Sequence, residues 1–329
     1  MKQNDRTSVV GSMLSRMALD KEVAGLRNYL YDYGRFKTHS SAFGRPVSDE
    51  ALAAQITKEY HKLEKGLALP EPRPGFGAAT IDFLLDAVPR LEARGHAAHI
   101  SRAARQSVRA WVDWHDAAGS PVRDAVRAFA EAADGSVAAG VRRLTRAEVA
   151  EATDVDFDRF ARARYSVRQF TGEAVAPEDV RAAVETALKT PRVCNRESRR
   201  VHAGFGRETC DRMLSYQQGN RGFGHTAGAV LVLTSDLRYF TAIAERNQAW
   251  IDGGMFAMSL ALALHGRGLG TCLLNWSEEF FRDRRMRAAL GIPDYEAVVT
   301  FMAVGHLPEE LLVAVSPRPT ADQVMRVLA

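Results

Sequence analysis

The sequence is short of the features that announce the commonest chemistries. It has three cysteines, Cys194, Cys210 and Cys272, in 329 residues. An odd number at these spacings offers no disulfide framework and no zinc site, and it suits free thiols in a reducing compartment. The nine histidines never pair at metal spacing with cysteine or carboxylate, so a His-based metal centre is not expected. There is no Walker-type phosphate loop and no Gly-x-Ser-x-Gly nucleophile elbow. No apolar run reaches the length of a membrane span; the longest, around Met255–His265, is broken by Ser259. The opening Met-Lys-Gln-Asn-Asp carries no apolar stretch of the secretory kind, so a cytoplasmic location is expected. Long blocks of one charge are missing too. The net charge is +4, spread along mixed-sign helices, which argues against nucleic acid as a partner.

What is present divides into two unlike halves. Residues 1–150 show apolar positions every three to four residues and no strand pattern of weight. Helices are predicted over about Ser8–Arg35, from Ser48 to Gly66, and over Ala78–Arg94, Ala97–Asp116 and Pro121–Ala133. The first rests on Leu14, Met17, Ala18, Val23, Leu26, Leu30 and Tyr31, and a polar loop over Lys37–Pro46 follows it. Between the second and third helices, residues 67–77 hold three prolines and two glycines, which exclude helix and central strand and predict a rigid extended loop. Residues 151–329 alternate instead. Helices are predicted from Pro177 to Lys189, over Asn247–His265 and over Thr320–Leu328. Strands are predicted over 200–206, 229–235, 271–274 and 297–304, which implies one sheet with helices against it. Gly266-Arg-Gly-Leu-Gly270 ends a helix and precedes a strand. That is the wrong order for a dinucleotide loop, and a helix cap with a turn is expected.

Four stretches could carry chemistry. Arg162–Phe170 packs three arginines and a serine into seven residues; an extended backbone puts Ser166 and Arg168 on one face. Guanidinium forks and a hydroxyl suit a phosphate or another planar anion, although a solvated basic turn is the commoner outcome. Pro191–Arg200 offers Asn195, whose amide can both donate and accept toward a heterocycle edge, or can simply stabilise its own turn. Cys194 beside it has no base in sequence and reads as an inert thiol. Gln217–Gly224 is rich in amides and glycine, as in a ligand loop or an ordinary surface loop. His61, Glu64 and Lys65 share a helix face. With Arg73 they form either a substrate-facing cluster or a salt-bridged cap on the proline-rich loop.

Four stretches, in order, resemble the nitroreductase family of FMN-dependent oxidoreductases. They are Arg164-Tyr-Ser-Val-Arg-Gln-Phe170, Pro191-Arg-Val-Cys-Asn195, the long helix running into Gly268–Trp276, and Met302-Ala-Val-Gly-His306 followed by Ser316-Pro-Arg318. The resemblance covers about Val155 to the C-terminus. The His-Lys-Leu-Glu-Lys-Gly-Leu and Pro-Arg-Pro-Gly-Phe-Gly stretches resemble a longer subgroup with an extra helical N-terminal region, some members of which are associated with polysaccharide biosynthesis. The resemblance implies an α+β fold, a nitroreductase-like FMN-binding sandwich over 151–329 preceded by an all-helical domain over 1–150. It also implies an intertwined homodimer with FMN at the interface and NADH or NADPH as electron donor. Arg164, Tyr165, Ser166, Arg168 and Arg318 would hold the phosphate and flavin edge. Asn195 would reach the ring from the partner subunit, and Leu273, Leu274 and Asn275 would line it near N5. No side chain is required as a nucleophile, because the flavin exchanges hydride in two half-reactions at one site. Arg192 and Glu197 depart from the family pattern. With His61, Arg73, Asn220 and Arg221 they are expected on the substrate side, where they suit a charged or sugar-linked small acceptor. A repurposed flavoenzyme, either a dehydrogenase or a flavin consumer, and a partner-binding protein with a vestigial site are the alternatives.

Overall fold

A stripe of apolar residues along each N-terminal helix has to be covered, and the first core forms where four such stripes meet. The computed structural model describes residues 5–44 and 48–328. Helices α1 (Asp5–His39), α2 (Asp49–Leu67), α3 (Ala78–Ala93), α4 (Ala98–Ala117) and α5 (Asp124–Glu131) come first. Parts of the polar loop over 37–46, and the side chains of Leu14, Met17 and Ala18, lie outside the described residues. Ser48 caps α2 by accepting from the Ala51 N–H. Helices α2 to α5 bury Ile56, Leu63, Leu84, Leu91, Val108, Trp111 and Phe129 in one apolar cluster.

The proline-rich loop does not run extended. It turns back so that Phe76 covers Gly66, where a Cβ would come within 2.2 Å of the ring. Trp111 Nε1 donates to the Phe76 carbonyl (2.9 Å), and the Gly75 N–H donates to Nε2 of buried His115 (2.9 Å). The two glycine-containing stretches are therefore halves of one packing joint.

Helix α1 joins the other half of the molecule. Its end packs Phe36 with Leu237, Phe240, Ala249 and Ala297. Buried Arg35 donates to the carbonyls of Asp294 (2.8 Å) and Glu296 (2.5 Å). Tyr31 donates to Asp283 Oδ2 (2.7 Å); burial and that carboxylate push the phenol pKa up to about 12.

The C-terminal half holds α6 (Arg146–Ala152), α7 (Phe157–Ala163), α8 (Pro177–Ala187), β1 (Arg199–Phe205), α9 (Arg207–Leu214), β2 (Ala229–Asp236), α10 (Gln248–His265), β3 (Leu269–Asn275), α11 (Phe280–Leu290), β4 (Glu296–His306) and a short α12 (Ala321–Val324). The four strands form one antiparallel sheet in the order β1-β2-β4-β3. Strand β2 is buried at every position, as its unbroken apolar run requires. One sheet face packs against α8 and α10 through Leu231, Leu233, Phe256, Leu260 and Met302. The other face buries Val230, Val232, Met213, Phe301 and Met286, with α9 and α11. The fold is thus α+β with a helical N-terminal region, as expected. The helix read over Thr320–Leu328 shortens to the single turn of α12, and α9 and α11 lie where the sequence pattern is too charged to show an apolar stripe.

Candidate functional site

The arginine run is laid along the free edge of β3. Ser166 pairs in parallel with Thr271, and the Val167 N–H donates to the Thr271 carbonyl (2.9 Å). Two glycines allow the approach. A Cβ on Gly270 would meet Leu307 and Val167, and one on Gly305 would fall 2.7 Å from the Phe170 ring. Val167 and Phe170 are buried, while Tyr165, Ser166 and Arg168 are exposed. Arg168 thereby lies close enough to β3 for its charge to act on Cys272, whose thiol pKa is nonetheless raised by burial. Leu273 is 39% exposed on the same edge, Leu274 is buried, and the Asn275 amide donates to Ser277 Oγ (2.9 Å). The expected cluster of Arg164, Tyr165, Ser166 and Arg168 is therefore set beside the strand that carries Leu273, Leu274 and Asn275.

This edge is poor in counter-charge. Among the described residues, neither Arg164 nor Arg168 forms a salt bridge. Arg164 Nε is buried without a hydrogen-bond partner, and Arg168 reaches only the Ser166 carbonyl at 3.4 Å. A buried, unpaired guanidinium nitrogen is uncommon in a folded protein, because its desolvation is not repaid. Arg164 and Tyr165 also line a cavity of about 210 Å³ with Gly270, Thr271 and Leu307. Arg318 lies exposed on the extended chain beyond β4.

The Asn195 loop is held far more tightly. Cys194 and Asn195 have φ of 48° and 59°, both left-handed and costly for side-chain-bearing residues. Three anchors hold them there. Arg192 Nε donates to the Asn195 carbonyl (3.1 Å), and the Val193 N–H donates to Oδ2 of buried Asp252 (3.1 Å). Arg196, 1% exposed, grips Glu245 through two nitrogens and also donates to the Tyr239 carbonyl (2.7 Å). Burial alone would raise the Glu245 carboxyl; the Arg196 bonds and charge outweigh it and hold the carboxyl below its usual range.

From the other half, α2 reaches this loop. Burial raises the Tyr60 phenol above its usual 10, against a hydrogen bond shared with Asn195. His61 joins Glu185, Leu188, Lys189, Thr190, Pro191, Arg192 and Asn195 around a cavity of about 570 Å³. His61 and Arg192 thus come together, whereas exposed Arg73 does not line this cavity. Glu197 is engaged internally, bound by Arg199 through two nitrogens (2.8 and 2.6 Å). The Asn220 amide donates to the carbonyls of Leu214 (2.9 Å) and Gln217, so it closes its own loop; Arg221 is exposed. The sequence reading missed Glu185 and Lys189 at this cavity; nothing in local spacing marks them, because they reach His61 only where the end of α8 comes near α2.

Residues 199–306, from the start of β1 to the end of β4, match the family model described as the nitroreductase family. The match takes in the whole sheet, about a third of the chain, and none of the helical region in front of it. Solved structures similar to the chain include a nitroreductase family protein from Streptococcus pneumoniae TIGR4, with 21% identity over 53% of this chain and 100% of that one (TM-score 0.46). An FMN-dependent nitroreductase from Clostridium difficile R20291 is 21% identical over 48% of this chain and 91% of that one (TM-score 0.41). Nitroreductase A from Vibrio parahaemolyticus RIMD 2210633 is 18% identical over 52% and 75% (TM-score 0.42). No curated protein matches the chain. Among the described residues, no helix is long and apolar enough to cross a membrane, and no cluster of metal-ligating side chains is found.

Proposed function

We propose that the protein is an FMN-dependent oxidoreductase that passes two electrons from NADH or NADPH to a small, charged or sugar-linked acceptor. The observation that carries this reading is the un-neutralised pair Arg164 and Arg168 on the edge of β3, inside a nitroreductase-type sheet. Arg164 and Arg168, with the Ser166 hydroxyl, suit the phosphate; Arg318 is the further cation on the C-terminal segment. The backbone at Leu273, Leu274 and Asn275 would lie along the ring, and Tyr165 would flank it. When bound, FMN supplies hydride and two-electron exchange. The residues of this chain bind it, orient it and exclude water.

A homodimer belongs to the same reading. Arg164 and Asn195 line different cavities within one chain, which suits delivery of Asn195 from a second copy. Exposed apolar residues support such a copy. Trp250, Ile251, Met255 and Met258 lie on one side of α10, and Leu312, Val315, Met325, Val327 and Leu328 lie on the C-terminal segment.

The purified protein, incubated with FMN and desalted, is expected to keep flavin absorbance in the near-UV and blue. NADH or NADPH should bleach it without oxygen. Arg168→Ala should release the flavin. A colourless wild-type protein that Arg168→Ala leaves unchanged in every respect refutes the reading.

A further inference from the structure

We propose that the cavity between α2 and the 188–195 loop is the electron-acceptor site, and that it selects molecules bearing a carboxylate or phosphate; this rests on the flavoprotein reading above. At about 570 Å³ it has room for a small molecule. Its lining brings together groups from both halves: His61 from the helical region, and Lys189, Arg192 and Asn195 from the nitroreductase-type domain.

The charges of the lining are lopsided. Glu185 is its one acid. Among the described residues Lys189 has no ion pair. Arg192 uses Nε on the Asn195 carbonyl and Nη1 on the Leu188 carbonyl, which leaves Nη2 uncommitted. Glu197 lies 3.5 Å from Arg192 Nε but is held by Arg199.

His61 is fixed from behind. Its Nδ1 meets Glu64 Oε2 at 2.8 Å, and Glu64 Oε1 accepts from the Gly140 N–H (3.1 Å) and from Ser107 Oγ (3.4 Å). A carboxylate held by two other elements orients the ring, and Nε2 is the nitrogen left for a ligand. The helix that carries His61, α2, packs against the 193–195 turn, and Asn195 closes the same lining. An acceptor whose anionic end lies among His61, Lys189 and Arg192 thus presents its other end to Asn195. The helical region is in this way a specificity element.

The test uses the FMN-loaded full chain and two probes alike in shape, 4-nitrobenzoate and the neutral 4-nitrobenzyl alcohol, titrated by calorimetry and then used as acceptors. The benzoate should bind about tenfold more tightly, the scale of one charge-assisted contact. His61→Gln and Lys189→Ala should each cut that preference severalfold while the flavin content stays at the wild-type level. Equal binding of the two probes, or a preference that survives both substitutions, overturns the proposal. A change confined to the KM for NADH or NADPH also overturns it, since the cations would then serve the donor. A preparation that takes up no flavin refutes the flavoprotein reading on its own. Titration of 4-nitrobenzoate and inorganic phosphate onto that same chain still decides whether the cavity selects anions.

Discussion

Two arginine-rich stretches of similar composition behave in opposite ways. Along 162–168, among the described residues, the guanidinium groups of Arg164 and Arg168 have no carboxylate partner, and one buried nitrogen bonds nothing. Along 192–200, Arg196 is closed around Glu245 and Arg199 around Glu197, with backbone carbonyls taking the remaining donors. A run of cations therefore has no fixed meaning. Where acids and carbonyls face it, it is an internal brace; where a bare strand edge faces it, its donors are left free, as the proposed anion site requires.

That contrast can be broken most severely at the brace. Arg196→Met leaves the Glu245 carboxylate desolvated without its partner and should cost about 3–5 kcal/mol in denaturant unfolding. An effect under about 1 kcal/mol would mean that the loop is not held from there. The next largest effect is expected beneath the anion edge. Gly305→Ala puts a methyl against the Phe170 ring and should cost about 1–3 kcal/mol, with weaker flavin retention because the arginine run is displaced. In the anion edge itself, Arg168→Ala should weaken FMN about tenfold by equilibrium dialysis. Its unfolding free energy should change by less than about 0.5 kcal/mol. Equal losses of stability and of flavin would place Arg168 with the braces.

The mildest expectation concerns pH at the α1 joint. Burial favours the neutral Asp283 carboxyl, but the Arg287 charge and the bonds from Arg287, Tyr31 and Trp276 outweigh it and hold the group below the ordinary 3.8. A depressed carboxylate stabilises the fold above its unfolded value and loses that contribution as pH falls through the folded one. Stability should therefore drop below about pH 4. In Asp283→Asn that acid limb should flatten. An unchanged acid limb would show that the α1 joint does not carry it.

Much of this was legible in order along the chain. Elements with a clean period came through: α2, α4, α10, β2 and β4 lie within a few residues of their predicted ends. Elements rich in charge did not. Residues 280–290 carry four arginines and one aspartate on a short helix, and no apolar period survives there. The proline-rich loop was read as extended because proline removes donors; its return path depends on a ring finding Gly66 some ten residues back. Among candidate site residues, the Arg164–Arg168 group could be named because its members are neighbours on one extended segment. Asn220 and Glu197 looked equally available, since a sequence does not show which carbonyl or guanidinium stands opposite.

The sequence by itself determined the periodicities, the two unlike halves and the residue types able to meet an anion, because these depend on backbone repeat and side-chain chemistry alone. Only the tertiary structure decided which arginines are neutralised and that the helical half places His61 beside Arg192 and Asn195. Charge pairing and cavity walls are set by approaches that no local window contains, Arg196 meeting Glu245 from 49 positions away and His61 meeting the 192–195 turn from the other half of the chain. Those approaches follow from how the cores close rather than from any local pattern.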